Sequence, residues 1–184
     1  KRQRLMHAAT IRLWDPLIRL FHVSVAGVFV ANYFFTEEGD DWHTWLGYYA
    51  CAWLAVRLVW GFVGPRSARW TDFWPTRARL REHLALVFKR EPHRRLGHSP
   101  IGALVMLLMM SAIATLGISG FLMQEVDALW GADWPLTLHA WAANSLATLV
   151  VVHMAAAVIE SLHLRENLPL SMITGKRRAP SEHR

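Results

Sequence analysis

The stretch T-L-H-A-W-A-A-N-S-L-A-T-L-V-V-V-H-M-A-A-A-V-I-E-S-L, residues 137–162, decides the architecture. It carries one acidic residue, Glu160, close to its end, and no lysine or arginine. About 20 predominantly apolar residues in a helix cross a hydrocarbon core of roughly 30 Å, so this stretch predicts a membrane span. Its two histidines, His139 and His153, are 14 residues apart. At 3.6 residues per turn and 1.5 Å per residue they return to within about 40° of one face, about 21 Å apart along the axis. One helix therefore offers an imidazole near each membrane surface.

Working outward, three more stretches are long and apolar enough to span: 17–35, 43–63 and 99–123. With 53% hydrophobic residues and 10 tryptophans in 184, the chain is too apolar for an ordinary soluble domain of its size. The predicted fold is all-α: an integral membrane four-helix bundle with its cofactors in the bundle core, residues 1–184 forming one domain with a basic loop at 64–98. Cys51, the single cysteine, rules out a disulfide framework, a cysteine-rich metal site and a C-x-x-C-H attachment for haem.

The formal charge of +6 reads as topology, and no nucleic-acid surface is expected. Every lysine and arginine except Arg57 lies before or at the start of the first span, between the second and third, or after the fourth. The other two loops hold Glu37, Glu38, Asp40 and Asp41, and Glu125, Asp127 and Asp133, with no basic residue among them. The positive-inside rule then places both termini and the basic loop in the cytoplasm. The first span reads as a retained helix, since it is long and no small-residue cleavage site precedes the acidic loop.

Trp42, Trp45, Trp60, Trp130, Trp134 and Trp141 fall near span ends, where indoles anchor at the interface. Residues 76–90 alternate leucine, valine and phenylalanine with arginine and lysine; an amphipathic surface helix and a solvated basic loop are both compatible with them. The tail after Gly175 is expected to be mobile. Gly117 and Gly120 in the third span are expected to be close-packing positions that leave room for a bulky group.

An intramembrane histidine is expensive and faces the bundle interior. His43 opens the second span at the acidic side, level with His139; His22 lies about one turn into the first span from the basic side, level with His153. Two pairs of opposed imidazoles on different helices are what bis-histidine haem ligation requires, one ring on each face of the macrocycle. The expected cofactors are two non-covalent haem b groups, and a six-coordinate iron with no vacant position points to one-electron transfer. Zinc also favours imidazole, but the two pairs lie too far apart to share an ion and neither has a nearby cysteine or carboxylate on its own face.

Other residues carry lesser expectations. His98, at the start of the third span, and Arg57, at the depth of His153, are candidate contacts for haem propionates. A buried guanidinium needs an anionic partner, and Glu160 is the alternative to a propionate. Glu160 is also the candidate for a quinone or proton site. His163 is a spare ligand candidate about 80° off the His153 face. His7, His83, His93 and His183 are expected to be solvated.

R-L-F-H at 19–22, H-T-W-L-G-Y at 43–48, V-R-L-V-W at 56–60, L-G-H-S-P at 96–100 and the spaced His139 and His153 together resemble the prokaryotic cytochrome b561 family. That family takes in the di-haem cytochrome b subunits of membrane-bound nickel-iron hydrogenases. W-D-P-L-I-R-L-F-H at 14–22 and E-N-L-P-L-S-M-I-T-G-K-R at 166–177 look like its hydrogenase-type branch. The resemblance runs from Trp14 to about residue 178. It implies that His22 and His153 bind a haem on the cytoplasmic side and His43 and His139 one on the periplasmic side, the pairing that depth suggests. It also implies electron exchange between membrane quinone and a periplasmic redox protein, such as a hydrogenase or a c-type cytochrome. Where some relatives carry further histidines after the last ligand, this chain has Glu160 and Ser161.

Three functions compete at this level. The leading one is an electron-transfer subunit between the quinone pool and a periplasmic partner. The second is a self-sufficient superoxide–quinone oxidoreductase. The third is a metal-ion or proton transporter using intramembrane histidines; it would favour helices broken near the midplane, and these stretches are continuous. The sequence leaves the choice between a monomer and a homodimer open.

Overall fold

A computed structural model describes residues 10–88 and 99–178. The elements run β1 (Thr10–Arg12), α1 (Pro16–Phe34), α2 (Asp41–Val63), α3 (Trp70–Phe73), α4 (Arg77–Phe88), α5 (Pro100–Glu125), α6 (Asp133–Leu164), α7 (Leu168–Thr174) and β2 (Lys176–Arg178). Helices α1, α2, α5 and α6 are each long and apolar enough to cross a membrane. They match the four predicted spans, although α6 begins four residues before the predicted span and runs two beyond it.

Each boundary has a local cause. Asp15 caps α1 by accepting from the backbone N–H groups of Leu17 (2.8 Å) and Ile18 (3.1 Å), and Pro16 occupies the first helical position, where no N–H is required. Asp40 caps α2 through the N–H of His43 at 2.5 Å. Ser99 caps α5 through Gly102, again with a proline following. Arg165, at φ 49°, ends α6 in a left-handed turn whose N–H groups at 165 and 166 return to the carbonyls of Leu162 and Ser161.

The buried core is thin: Val28, Ala50, Leu54, Met110, Ile113 and Leu146, drawn from all four long helices. Around it Phe62, Val151, Leu162 and many other large apolar side chains point outward. In water so continuous an apolar exterior would aggregate; in hydrocarbon it is the solvent-compatible face. The hydroxyls of Ser111, Thr115, Ser119, Thr148 and Ser161 each donate to the carbonyl four residues earlier, so lipid meets no unpaired hydroxyl proton there.

The closest helix pairs are α5 with α6, α1 with α2, and α2 with α5, whereas α6 makes few close backbone approaches to α1 or α2. Gly117 allows the α2–α5 approach: a Cβ there would lie 2.2 Å from Cys51 Sγ. That bears out its reading as a close-packing position.

β1, β2, α7 and the elements between α2 and α5 lie at one end of the bundle. β1 and β2 pair antiparallel with Ile11 opposite Arg177, and the N–H groups of Leu13 and Trp14 continue the ladder onto the carbonyl of Gly175. Trp14 is buried and its indole N–H donates to Ser171 Oγ, while Arg19 donates to the carbonyls of Met172 and Ile173. Part of the tail predicted to be mobile is thus paired backbone at 176–178; the residues beyond lie outside the described ones. Within the 76–90 stretch, residues 77–88 form α4, a helix packed against α5 with His83 buried, Arg79 and Leu80 half-buried and Leu84 exposed, so its faces do not divide into an apolar and a polar side; residues 89 and 90 lie outside the described ones. His83, expected to be solvated, is therefore buried.

Candidate cofactor site

Helix α6 brings its two histidines to two different partners. The rings of His43 and His139 have centroids 6.0 Å apart with planes inclined at 51°, and those of His22 and His153 lie 6.3 Å apart, also at 51°. The first pair sits at the acidic-loop end and the second toward the end carrying β1 and β2. The separation is informative. Two imidazoles joined by one N–H···N hydrogen bond would have centroids about 5.2 Å apart. Two that bind one metal from opposite sides, each through a bond of about 2.0–2.1 Å, would have them about 6.2–6.4 Å apart. The His22–His153 spacing of 6.3 Å falls in the second range, and the His43–His139 spacing of 6.0 Å lies between the two.

Space is open beside two of the rings. α6 stands off α1 and α2, the helices that carry the opposing histidines. Gly47 lies one turn beyond His43 on nearly the same face, and a Cβ built there meets no atom within 4 Å. At Gly120 a Cβ would meet only the ring of His139, at 3.6 Å. Among the described residues no three His, Cys, Asp or Glu side chains converge on one point, so the site does not resemble an all-protein metal cage.

The pair at the acidic end is held by hydroxyls. His139 Nδ1 lies 3.0 Å from Ser119 Oγ, and His43 Nδ1 lies 3.2 Å from Thr36 Oγ1. Asn32, on α1, donates to the carbonyl of His43 at 3.0 Å and so ties the start of α2 to α1. Reading for ligands alone passed over Ser119, Thr36 and Asn32. A signal existed at Ser119, a polar position in the third span at the depth of His139.

Arg57 is 97% buried and its guanidinium lies 4.3 Å from the ring centre of Trp70, with Asp15 the nearby carboxylate. Trp70 comes from α3 in the basic loop and donates to the carbonyl of Leu58. Trp60, also read as an interfacial anchor, is half-buried and donates to Asp15 Oδ2 at 3.2 Å, whereas Trp42, Trp45, Trp130, Trp134 and Trp141 are exposed. Glu160 is half-buried on α6, His163 is exposed, and His98 lies outside the described residues.

Four membrane-length helices bearing two facing histidine pairs define a membrane-spanning helical bundle. The sequence profile of the prokaryotic cytochrome b561 family matches residues 13–175, and the chain belongs to that family. Similar proteins include the probable Ni/Fe-hydrogenase B-type cytochrome subunits of Rhizobium leguminosarum bv. viciae (25% identical, covering 94% of this chain and 87% of the relative) and of Azotobacter vinelandii (27%, with the same coverages). That of Bradyrhizobium diazoefficiens is 28% identical over 73% of this chain and 64% of its own length. No solved structure matches. The chain is thus a multi-pass membrane cytochrome of the b type, a haem b protein of electron transfer.

Proposed function

We propose that this chain carries electrons across the bacterial inner membrane between membrane quinone and a redox protein on the periplasmic side, holding two haem b groups by bis-histidine ligation. The observation that carries this reading is that two imidazole pairs face each other, with ring centroids 6.0 Å and 6.3 Å apart, at two levels of one helix. Haem, when bound, supplies a one-electron ferric–ferrous couple.

The protein's part is to hold, orient and insulate. His43 with His139 and His22 with His153 present the axial nitrogens, and the apolar faces of the four helices keep water from the space between the two levels. Arg57, at the level of His153, and His98 are the residues for carboxylate side chains of a bound haem, and Glu160 is the candidate proton-handling group for a quinone. The acidic residues Glu37, Glu38, Asp41, Asp127 and Asp133 favour a partner with a basic docking surface. The printed names of the relatives point to a hydrogenase as that partner, and the positive-inside rule supports cytoplasmic termini.

The test is spectroscopic. Reduced-minus-oxidised spectra of the detergent-purified protein, with a pyridine haemochrome count, should give two low-spin b haems per chain. A single haem per chain, or a high-spin spectrum, would overturn the two-site reading. Reporter fusions at residue 178 and in the 126–132 loop should report opposite sides of the membrane.

A further inference from the structure

We infer that Ser119 and Thr36 are positioning residues that hold the acidic-end histidines by their Nδ1–H groups and thereby lower the redox potential of the haem bound between them. The inference rests on the two-haem reading above and deepens it.

Donor counting assigns the protons. Ser119 is fully buried, and its hydroxyl has one hydrogen, which goes to the carbonyl of Thr115 at 2.7 Å with the carbonyl of Leu116 at 3.2 Å beside it. Carbonyls only accept, so the proton of the 3.0 Å contact to His139 Nδ1 is left to the ring, beside which the Leu116 carbonyl is a second acceptor. Thr36 repeats the arrangement. Its Oγ1 lies 3.2 Å from the carbonyl of Asn32 and 3.5 Å from Asn32 Oδ1, acceptors that can take its one hydrogen, and with the hydrogen there the 3.2 Å contact to His43 Nδ1 is donated by the ring. With the protons so assigned, each imidazole is the Nδ1–H tautomer with its Nε2 lone pair free to bind metal. The hydroxyls come from α5 and from the end of α1, while the rings sit on α6 and α2, so each ring is clamped from a neighbouring element.

A metal-binding imidazole that donates its other N–H is oriented by that bond and becomes a more basic ligand. A more basic ligand favours the ferric state. Among the described residues no hydrogen bond reaches a ring nitrogen of His22 or His153, so the two levels of the bundle differ in the support given to their ligands.

The experiment is a potentiometric titration of the haem α-band in purified Ser119→Ala, Thr36→Val and Thr36→Ser, with the acidic-end component assigned by its loss in His43→Ala. In Ser119→Ala and Thr36→Val that component should move to a more positive midpoint, by a three- to tenfold change in the ferric–ferrous equilibrium. At 59 mV per tenfold for one electron this is about 30–60 mV. The other component should stay in place, and Thr36→Ser should titrate as wild type. Unmoved midpoints, or equal movement of both components, would overturn the inference. Should Ser119→Ala fail to retain haem, the Thr36→Val and Thr36→Ser comparison decides by the same criteria. Fewer than two haems in the wild type would instead refute the two-haem reading, so the two failures are separable.

Discussion

Trp70 covers Arg57, and it reaches that position because residue 61 is glycine. Gly61 lies one helical turn beyond Arg57 on α2, and a Cβ there would fall 1.9 Å from the indole nitrogen of Trp70. The indole fills the recess, donates to the carbonyl of Leu58 and screens the guanidinium, an arrangement in which cation–π attraction gains from desolvation. Gly61→Val should expel Trp70 and lower stability by about 1–3 kcal/mol, read as a fall in melting temperature in detergent with a red shift of the tryptophan emission. An unchanged melt would show that the loop is not anchored there.

The two histidine pairs should be separable. His43→Ala or His139→Ala is expected to remove one haem and leave the second spectrally intact, while His22→Ala or His153→Ala does the reverse. Haemochrome counts near one per chain in all four variants would support the pairing. Retention of two haems in any of them would break it.

Gly117 and Cys51 offer a packing test independent of haem. Gly117→Ala places a methyl 2.2 Å from the Cys51 sulfur and is expected to cost about 1–3 kcal/mol through overpacking. Cys51→Ala removes that sulfur, so the double variant should recover most of the loss. The check is a double-mutant cycle on thermal unfolding, and simple additivity would argue against the contact.

Asp15 serves three donors at once: the N–H groups of Leu17 and Ile18 and the indole of Trp60. Asp15→Ala should cost about 1–2 kcal/mol, the range for losing a helix cap. Asp15→Asn keeps an acceptor for the cap and should lose less. Hydrogen exchange at the first turn of α1 would register the difference directly.

The four spans, their order and the face shared by His139 and His153 were legible in the chain itself, because bilayer thickness and the 3.6-residue helical period are properties of a single helix. Helix depth, counted in residues from each end, likewise brought His43 opposite His139 and His22 opposite His153. The hydroxyls that grip the acidic-end rings, the indole on Arg57 and the burial of His83 were not legible. Each depends on how closely two helices approach and how a loop folds back, which no single period encodes. The joining of residues 10–12 to 176–178 is of the same kind: three-residue strands have no reliable pattern of their own, and they pair because α1 and α7, clamped by Arg19 and Trp14, deliver them side by side. One-dimensional periodicity determined where imidazoles could meet, and only the tertiary packing decided what holds them.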